Sequence, residues 1–530
     1  MQLSMTYDTV IVGAGSAGCV LANRLSANPQ HRVLLLEAGP RDWHPFIHMP
    51  AGLAKLVGKK GINWNYYTEA EPNLDNRRLW WPRGRVLGGS SSINAMCYIR
   101  GVPGDYADWA RSAGDERWSW DKVLPYFRRA EGNTRGADAL HGADGPLAVQ
   151  DLRHRNPLSQ AFVDAAQRCG HPGNADFNGP QQEGFGYYQV TQKNSARCST
   201  AAGYLRPARG RPNLRVVTGA AVQRVLLNGA RATGVDYRHH GRLTRADARE
   251  VILCGGAINS PQLLMLSGIG PADHLRSHGI RVNHDLRAVG ANLQDHLDVC
   301  TLQRCLQPVT YDRLSDTAVA LRYLLHRDGP GTSNIAEGGG FVRSRHATDE
   351  RCDLQFHFIP ALLDDHGRHR LPGYGFTMHA CMLRPRSRGS IGLASSNPAD
   401  KAVIRANYLS DEDGYDLRML VEGVKLSRDI FAAAPFDAFR GPEIYPGDAV
   451  RSDNDIVAYI RRKAETVYHP VGTCRMGNDD DAVVDSQLRV RGIAGLRVVD
   501  ASVMPTLPSG NTNAPTIMIA EVAADLIARA

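Results

Sequence analysis

His469-Pro470-Val471-Gly472-Thr473-Cys474-Arg475-Met476-Gly477 places an imidazole at the head of a run of small and turn-forming residues. Imidazole exchanges a proton near neutral pH, so His469 can act as a general base. Far upstream, Gly13-x-Gly15-x-x-Gly18 has the glycine spacing of a dinucleotide-binding turn. The first glycine permits the tight turn, the second lets backbone approach a pyrophosphate, and the third lets helix pack on strand. A proton acceptor and a nucleotide turn on one chain point to redox chemistry, at a site closed by both ends of the polypeptide.

Elements of the right kind surround the glycine turn. Thr9-Val10-Ile11-Val12 reads as a buried strand, a helical pattern runs from Ser16 to about Ser26, and Arg32 to Glu37 forms the next strand. This is a βαβ unit, with phosphates expected at the helix N-terminus. Glu37 stands where an acid binds ribose hydroxyls, which argues against NADP and leaves NAD and FAD both open.

Residues 40–150 are rich in Trp, Pro, Arg and Gly and read as long irregular connections of the kind that form lids and site loops. Within them, Gly84-Arg85-Val86-Leu87-Gly88-Gly89-Ser90-Ser91-Ser92-Ile93-Asn94 combines adjacent glycines with hydroxyl donors. Strands are expected at Leu214–Val217, Val222–Leu227 and Val251–Cys254. A helix is expected from Ser260 to Leu266, with Ser260 as N-cap, Pro261 at its first position and Gly268 as its stop. From about 300 to 460 the pattern changes, with helices at 317–327, 414–434 and 453–464 and strand-like runs at Leu354–Phe358 and Phe376–Leu383. Arg497–Asp500 reads as one more strand and Pro515–Ile527 as a closing helix.

The fold class is therefore α/β. A Rossmann-like dinucleotide-binding domain (1–155, 196–300 and 462–530) carries an inserted α+β substrate-binding domain (156–195 and 301–461), an antiparallel sheet flanked by helices. A chain of 530 residues exceeds one compact core.

Composition narrows the function. A net charge of +8, mixed along the chain and without a basic stripe, argues against nucleic-acid binding. No apolar run has transmembrane length, and no signal-peptide pattern opens the chain. The ten cysteines include no C-x-x-C, which fits a reducing, cytoplasmic setting. Among 19 histidines, most are expected to be structural. Asp364-Asp365-His366-x-x-His369 is read as a polar loop, and no metal site is expected. His239-His240 is read as a hairpin turn, and Cys474 as a packing residue.

Taken together, Gly84–Asn94, Gly256–Gly270, His469–Gly477, Asp500–Pro505 and Gly510–Thr516 resemble the signature segments of the glucose–methanol–choline (GMC) oxidoreductases. The likeness runs from about residue 6 to 528 and is strongest to bacterial FAD-dependent alcohol dehydrogenases acting on aliphatic alcohols. It implies FAD, with Gly13, Gly15, Gly18 and Glu37 on its ADP half and Val222 contacting adenine through backbone. Gly89 and Asn94 would lie by the flavin, Asp500 and Ala501 by the pyrophosphate or ribityl chain, and Asn511, Asn513, Ala514 and Pro515 by the ring. Ser16, Ala17, Ala38, Arg85, Ser90, Ala95 and Gly256 complete the expected cofactor set. The position that carries a covalent histidine in some relatives is Ile93 here, so the resemblance implies non-covalent FAD.

By the same resemblance His469 is the catalytic base and Asn513 its polar partner. The base takes the hydroxyl proton of a primary alcohol while hydride passes to flavin N5, and electrons then go to a quinone or other carrier. Contact with the cytoplasmic membrane face follows from quinone-linked relatives. Alternatives are a choline dehydrogenase, another GMC alcohol or polyol dehydrogenase or oxidase, and, more remotely, an FAD-containing lyase. For choline, Glu337 would meet the cation while Trp64 and Tyr468 offer aromatic faces.

Overall fold

The computed structural model describes residues 6–56, 58–369 and 371–529. Its first sheet is built on the parallel strands Tyr7–Val12, Val33–Glu37 and Leu214–Thr218; Val33–Glu37 is buried throughout, whereas Leu214–Thr218 is a partly exposed edge strand. Arg242–Leu253 serves three neighbours. Its first half pairs antiparallel with Arg231–His239, and its second half lies parallel to Tyr7–Val12 and to Leu496–Val498. The hairpin turn at His239-His240 is present, with His240 at φ 48°.

The second sheet is antiparallel. Leu297–Cys305 pairs with Gly375–Met382 and with Arg440–Tyr445, and the order continues through Leu354–Ile359, Gly338–Val342 and Gly184–Tyr187. Leu297–Cys305 straddles the boundary drawn at residue 300. Helix Tyr415–Ala432 buries Met419, Leu420, Val424 and Phe431, and Phe431 joins Phe358, Phe376 and Phe436 in an aromatic cluster.

Two expectations shift. Within 40–150, helices Pro103–Ala113 and Trp120–Ala130 bury Tyr106, Trp109, Trp118 and Phe127 together. The large aromatics obscured the 3.6-residue period. The helix expected from Ser260 begins at Gly256 instead, so Ser260 is no N-cap and Pro261 lies inside. A proline there removes the N–H that would bond the carbonyl four residues back. That carbonyl, Ala257 O, accepts from Thr473 Oγ1 at 2.6 Å. A residue of the His469 run thus repairs the gap.

The two ends of the chain meet in helices Ser16–Leu25 and Asn513–Ala528. Glu521, fully buried, accepts from Arg24 and from the Tyr204 hydroxyl, each at 2.8 Å, and pairs with Arg129 at 2.7 Å. Buried charge is tolerated when paired in this way.

Candidate active site

A cavity of about 750 Å³ runs from the glycine turn to the His469 segment. Its nucleotide end is shaped by close backbone. Gly13 has φ 101°, and a Cβ there would stand 2.5 Å from Cys254 O. A Cβ on Gly89 would come within 2.7 Å of Gly15 Cα, so the two glycine segments touch. The Glu37 carboxylate accepts from Ala14 N at 2.9 Å and Gly39 N at 2.8 Å, and burial pushes its pKa up to about 7. Arg85 lines the cavity with its buried Nε lacking a partner among the described residues. A dinucleotide pyrophosphate offers the acceptors such a donor needs. Asp500 accepts from Gly256 N at 2.7 Å and Ser260 Oγ at 2.6 Å, which fixes the helix start at the wall.

Of the expected cofactor set, Gly13, Gly15, Ser16, Ala17, Glu37, Ala38, Arg85, Gly89, Ser90, Asn94, Ala95, Val222, Gly256, Asp500, Ala501, Asn511 and Asn513 all line this cavity. Gly18, Ala514 and Pro515 do not. Gly18 serves packing, since a Cβ there would meet Gly13 O at 1.9 Å. Ala514 and Pro515 are turned away within the first turn of the last helix, which begins at Asn513.

At the other end, His469 is held by several partners. Its backbone N donates to Asp295 Oδ1 at 2.7 Å, and Asp295 also accepts from Thr466 Oγ1 at 2.5 Å and from the Tyr408 hydroxyl. Burial pushes the Asp295 carboxyl up to about 6. The side chain of His469 faces His296, Nδ1 to Nδ1, at 3.0 Å. His296 Nε2 lies 3.0 Å from Leu383 O, which can only accept, so His296 carries its proton on Nε2. Burial lowers the His296 pKa to about 4, so the ring is neutral and its Nδ1 accepts. His469 therefore donates from Nδ1 and leaves Nε2 bare. Burial, with His296, His357 and Arg83 nearby, holds His469 itself well below the ordinary imidazole pKa. The site thus presents a neutral base of fixed tautomer.

The partner at that bare nitrogen is Asn511, whose Nδ2 donates to His469 Nε2 at 3.1 Å. Asn513, the residue expected there, instead accepts from Ser16 Oγ at 2.7 Å and joins the N-termini of the two terminal helices. The sequence offers two asparagines two apart, and only the turn before the helix decides which faces the base. Asn511→Ala should slow flavin reduction by about 10-fold or more, whereas Asn513→Ala should chiefly weaken FAD retention. Reduction rate and flavin content of the two variants check this, and the reverse pattern would return the role to Asn513.

Trp64 and Tyr468 line the cavity as expected. Tyr468 is hydrogen-bonded to His366 Nδ1, and His366 Nε2 lies 3.2 Å from Glu465. His366 is thus a buried wall residue and not part of a solvated polar loop. Glu337 departs most from expectation. Its carboxylate is fully buried and accepts from Asn156 N, Ser159 Oγ and Ser333 Oγ at 2.7–2.8 Å and from the Tyr311 hydroxyl. It does not line the cavity. Four donors turn it into a structural anchor unavailable to a cation. Asp295, His296, Gln355, His357 and His379 were not singled out from sequence. The polar run Asn292-x-Gln294-Asp295-His296 before an apolar strand was the available signal.

Models of the GMC oxidoreductase N- and C-terminal regions match residues 7–298 and 385–520. The chain belongs to the GMC oxidoreductase family. It is 52% identical to the alcohol dehydrogenase [acceptor] of Pseudomonas putida, over 99% of this chain and 96% of that one. It is 49% identical to the mitochondrial choline dehydrogenase of Mus musculus, over 98% and 89%. Among solved structures, pyridoxine 4-oxidase from Mesorbium loti superposes with a TM-score of 0.91 at 33% identity, covering 99% of this chain and all of that one. Formate oxidase from Aspergillus oryzae gives 0.92 at 28%, covering 99% of each. This GMC protein is an FAD-dependent oxidoreductase, and its α/β fold is the family's.

Proposed function

We propose that this protein oxidises an uncharged primary alcohol to an aldehyde, with His469 Nε2 taking the hydroxyl proton. The observation that carries this is the tautomer chain Leu383 O, His296, His469, which leaves a bare nitrogen in the cavity that the glycine turn opens. Bound there, FAD supplies a hydride acceptor. The chain's own part is to hold the base neutral, orient the hydroxyl and exclude water. Asn511 Nδ2 is placed to donate to the oxygen as charge builds on it. The far wall carries Ile335, Ala336, Ile359 and Leu363. With Glu337 locked away, the carboxylate expected to meet a quaternary ammonium is not offered to the cavity, which favours a neutral alcohol over choline.

Ile93 at the position of the covalent histidine supports dissociable FAD, and release of free flavin on acid precipitation tests it. We also assign quinone or a comparable carrier as acceptor, at the cytoplasmic face of a membrane. Exposed Leu321, Leu324 and Leu325 on helix Asp316–His326 support such contact. No helix among the described residues is long and apolar enough to cross a membrane.

The deciding experiment is anaerobic bleaching of the flavin by a panel of neutral alcohols and choline. Turnover without bleaching would favour the lyase, and faster bleaching by choline would overturn the neutral substrate. The pH dependence adds a check. Protonation inactivates the base, and a lowered pKa moves that loss to lower pH. Flavin reduction should therefore stay level from pH 7.5 to 6.0, where an ordinary imidazole would retain only about a quarter of its neutral form. Rates that fall near pH 6.5 would show His469 to be unperturbed.

A further inference from the structure

One face of the second sheet gathers a cysteine, a histidine and a carboxylate. Asp298 and Cys300 lie two apart on strand Leu297–Cys305 and so share a face. His379, on strand Gly375–Met382, stands directly opposite Cys300, and directly opposed residues of an antiparallel pair point to the same side. His379 Nδ1 is hydrogen-bonded to Asp298 Oδ2 and lies 3.2 Å from Cys300 Sγ. That sulfur is 4.0 Å from Asp298 Oδ2. The three atoms thus fall within 4.8 Å of one another, each held by a strand and not by a loop. Asp298 is buried, and His379 lines the cavity.

Thiolate, imidazole and carboxylate are the donors that zinc takes, at about 2.3, 2.0–2.1 and 2.0–2.2 Å. A tetrahedral ion with such bonds sets its ligand atoms about 3.3–3.6 Å apart. The sulfur separations of 3.2 and 4.0 Å bracket that span. An ion entering here would exchange the hydrogen bond between His379 and Asp298 for two metal bonds.

The surroundings are short of positive charge. Glu465 stands directly opposite Asp298 on the strand at its other side. Burial, with Asp298, Asp365 and Asp364 nearby, pushes the Glu465 carboxyl up to about 8. Burial and the Asp298, Glu465 and Asp364 carboxylates push the Cys300 thiol up as well. Lys463 is paired with Asp364 at 2.9 Å, and Arg77 donates to the carbonyls of Leu74 and Ala464. Negative groups crowded in a buried place favour a bound cation, and a metal strips the proton from a coordinating thiol outright.

We propose that Asp298 Oδ2, Cys300 Sγ and His379 Nδ1 form a zinc site that pins strand Leu297–Cys305 to strand Gly375–Met382 at the cavity wall. Cys300 binds as thiolate and its proton leaves to solvent. His379 binds as neutral imidazole with its proton on Nε2, and water fills the fourth position. The site takes no part in the alcohol reaction and stands or falls apart from it.

The test adds one equivalent of Zn2+ to FAD-loaded protein previously stripped with a chelator. X-ray absorption at the zinc edge should show one sulfur neighbour at about 2.3 Å among lighter ligands. Absence of that sulfur in the wild type would overturn the proposal whatever the variants do. Cys300→Ser should abolish the sulfur signal. Cys300→Ser and His379→Gln should each weaken Zn2+ binding in equilibrium dialysis by about tenfold or more. Retained flavin shows that both variants are folded. A double variant, His239→Gln with His240→Gln, removes the hairpin-turn pair, whose rings lie 4.0 Å apart, and should bind as the wild type does. Binding lost there and kept in Cys300→Ser would also overturn the proposal. An ion bound only by the native state raises stability with its concentration, so Tm should climb with Zn2+ in the wild type and stay level in Cys300→Ser. An equal climb in both would count against the site.

Discussion

His469→Ala should keep its FAD and lose about a hundred- to ten-thousand-fold in the rate of flavin reduction, the range a positioned general base contributes. The expectation of intact FAD comes from geometry. His469 sits at the far end of the cavity from Gly13, Gly15 and Glu37, and its backbone bond to Asp295 does not depend on the side chain. Anaerobic stopped-flow separates the two effects, because reduction is read directly from bleaching of the bound flavin. A variant that bleaches at the wild-type rate would remove His469 from the reaction. His296→Leu offers a companion, since it removes the acceptor that fixes the tautomer. It should slow reduction as well, by a smaller factor, while leaving flavin content unchanged.

The second large effect concerns the cofactor. Gly89→Val should yield protein that folds but is purified largely without flavin. Two costs combine. Gly89 has φ 53°, where a side chain costs about 1–2 kcal/mol. A Cβ 2.7 Å from Gly15 Cα meets backbone that cannot turn aside, and such overpacking costs about 1–3 kcal/mol. Together they amount to about 2–5 kcal/mol set against the apposition of the two glycine segments, or roughly 30-fold to several-thousand-fold in FAD affinity. Gly229→Val is the control, because its φ of 56° carries the same backbone strain with nothing within 4 Å of an added Cβ. The ratio of flavin to protein absorbance reads both. Equal flavin content in the two variants would show that the Gly89–Gly15 contact does not hold the cofactor site.

Much of this was legible in the residues. The βαβ unit and its glycine turn were readable because period, turn residues and terminal acid all agree locally. The helices at 415–432 and 453–463 and the strands at 354–359 and 375–382 were equally plain, for their apolar patterns are regular. What the residues hid was decided by distant partners. Ser260 and Pro261 look like a helix start, yet Asp500 and Thr473, more than 200 residues away, let the helix begin at Gly256. Glu337 looks like a free carboxylate until Asn156, Ser159, Tyr311 and Ser333 close around it. Asn511 and Asn513 cannot be told apart by type. The direction each faces depends on where the last helix begins.

Ser16 and Asn513, 497 positions apart, share one hydrogen bond, and Arg24 reaches Glu521 across the same separation. During synthesis the amino-terminal βαβ unit leaves the ribosome first and can fold early. The wall that carries Asn511 and helix Asn513–Ala528 cannot exist until the 497 positions that separate Ser16 from Asn513 have been made. Nascent chains therefore hold a half-built nucleotide cleft that ripens late, and anything that delays helix Asn513–Ala528 acts directly on the timing of that maturation.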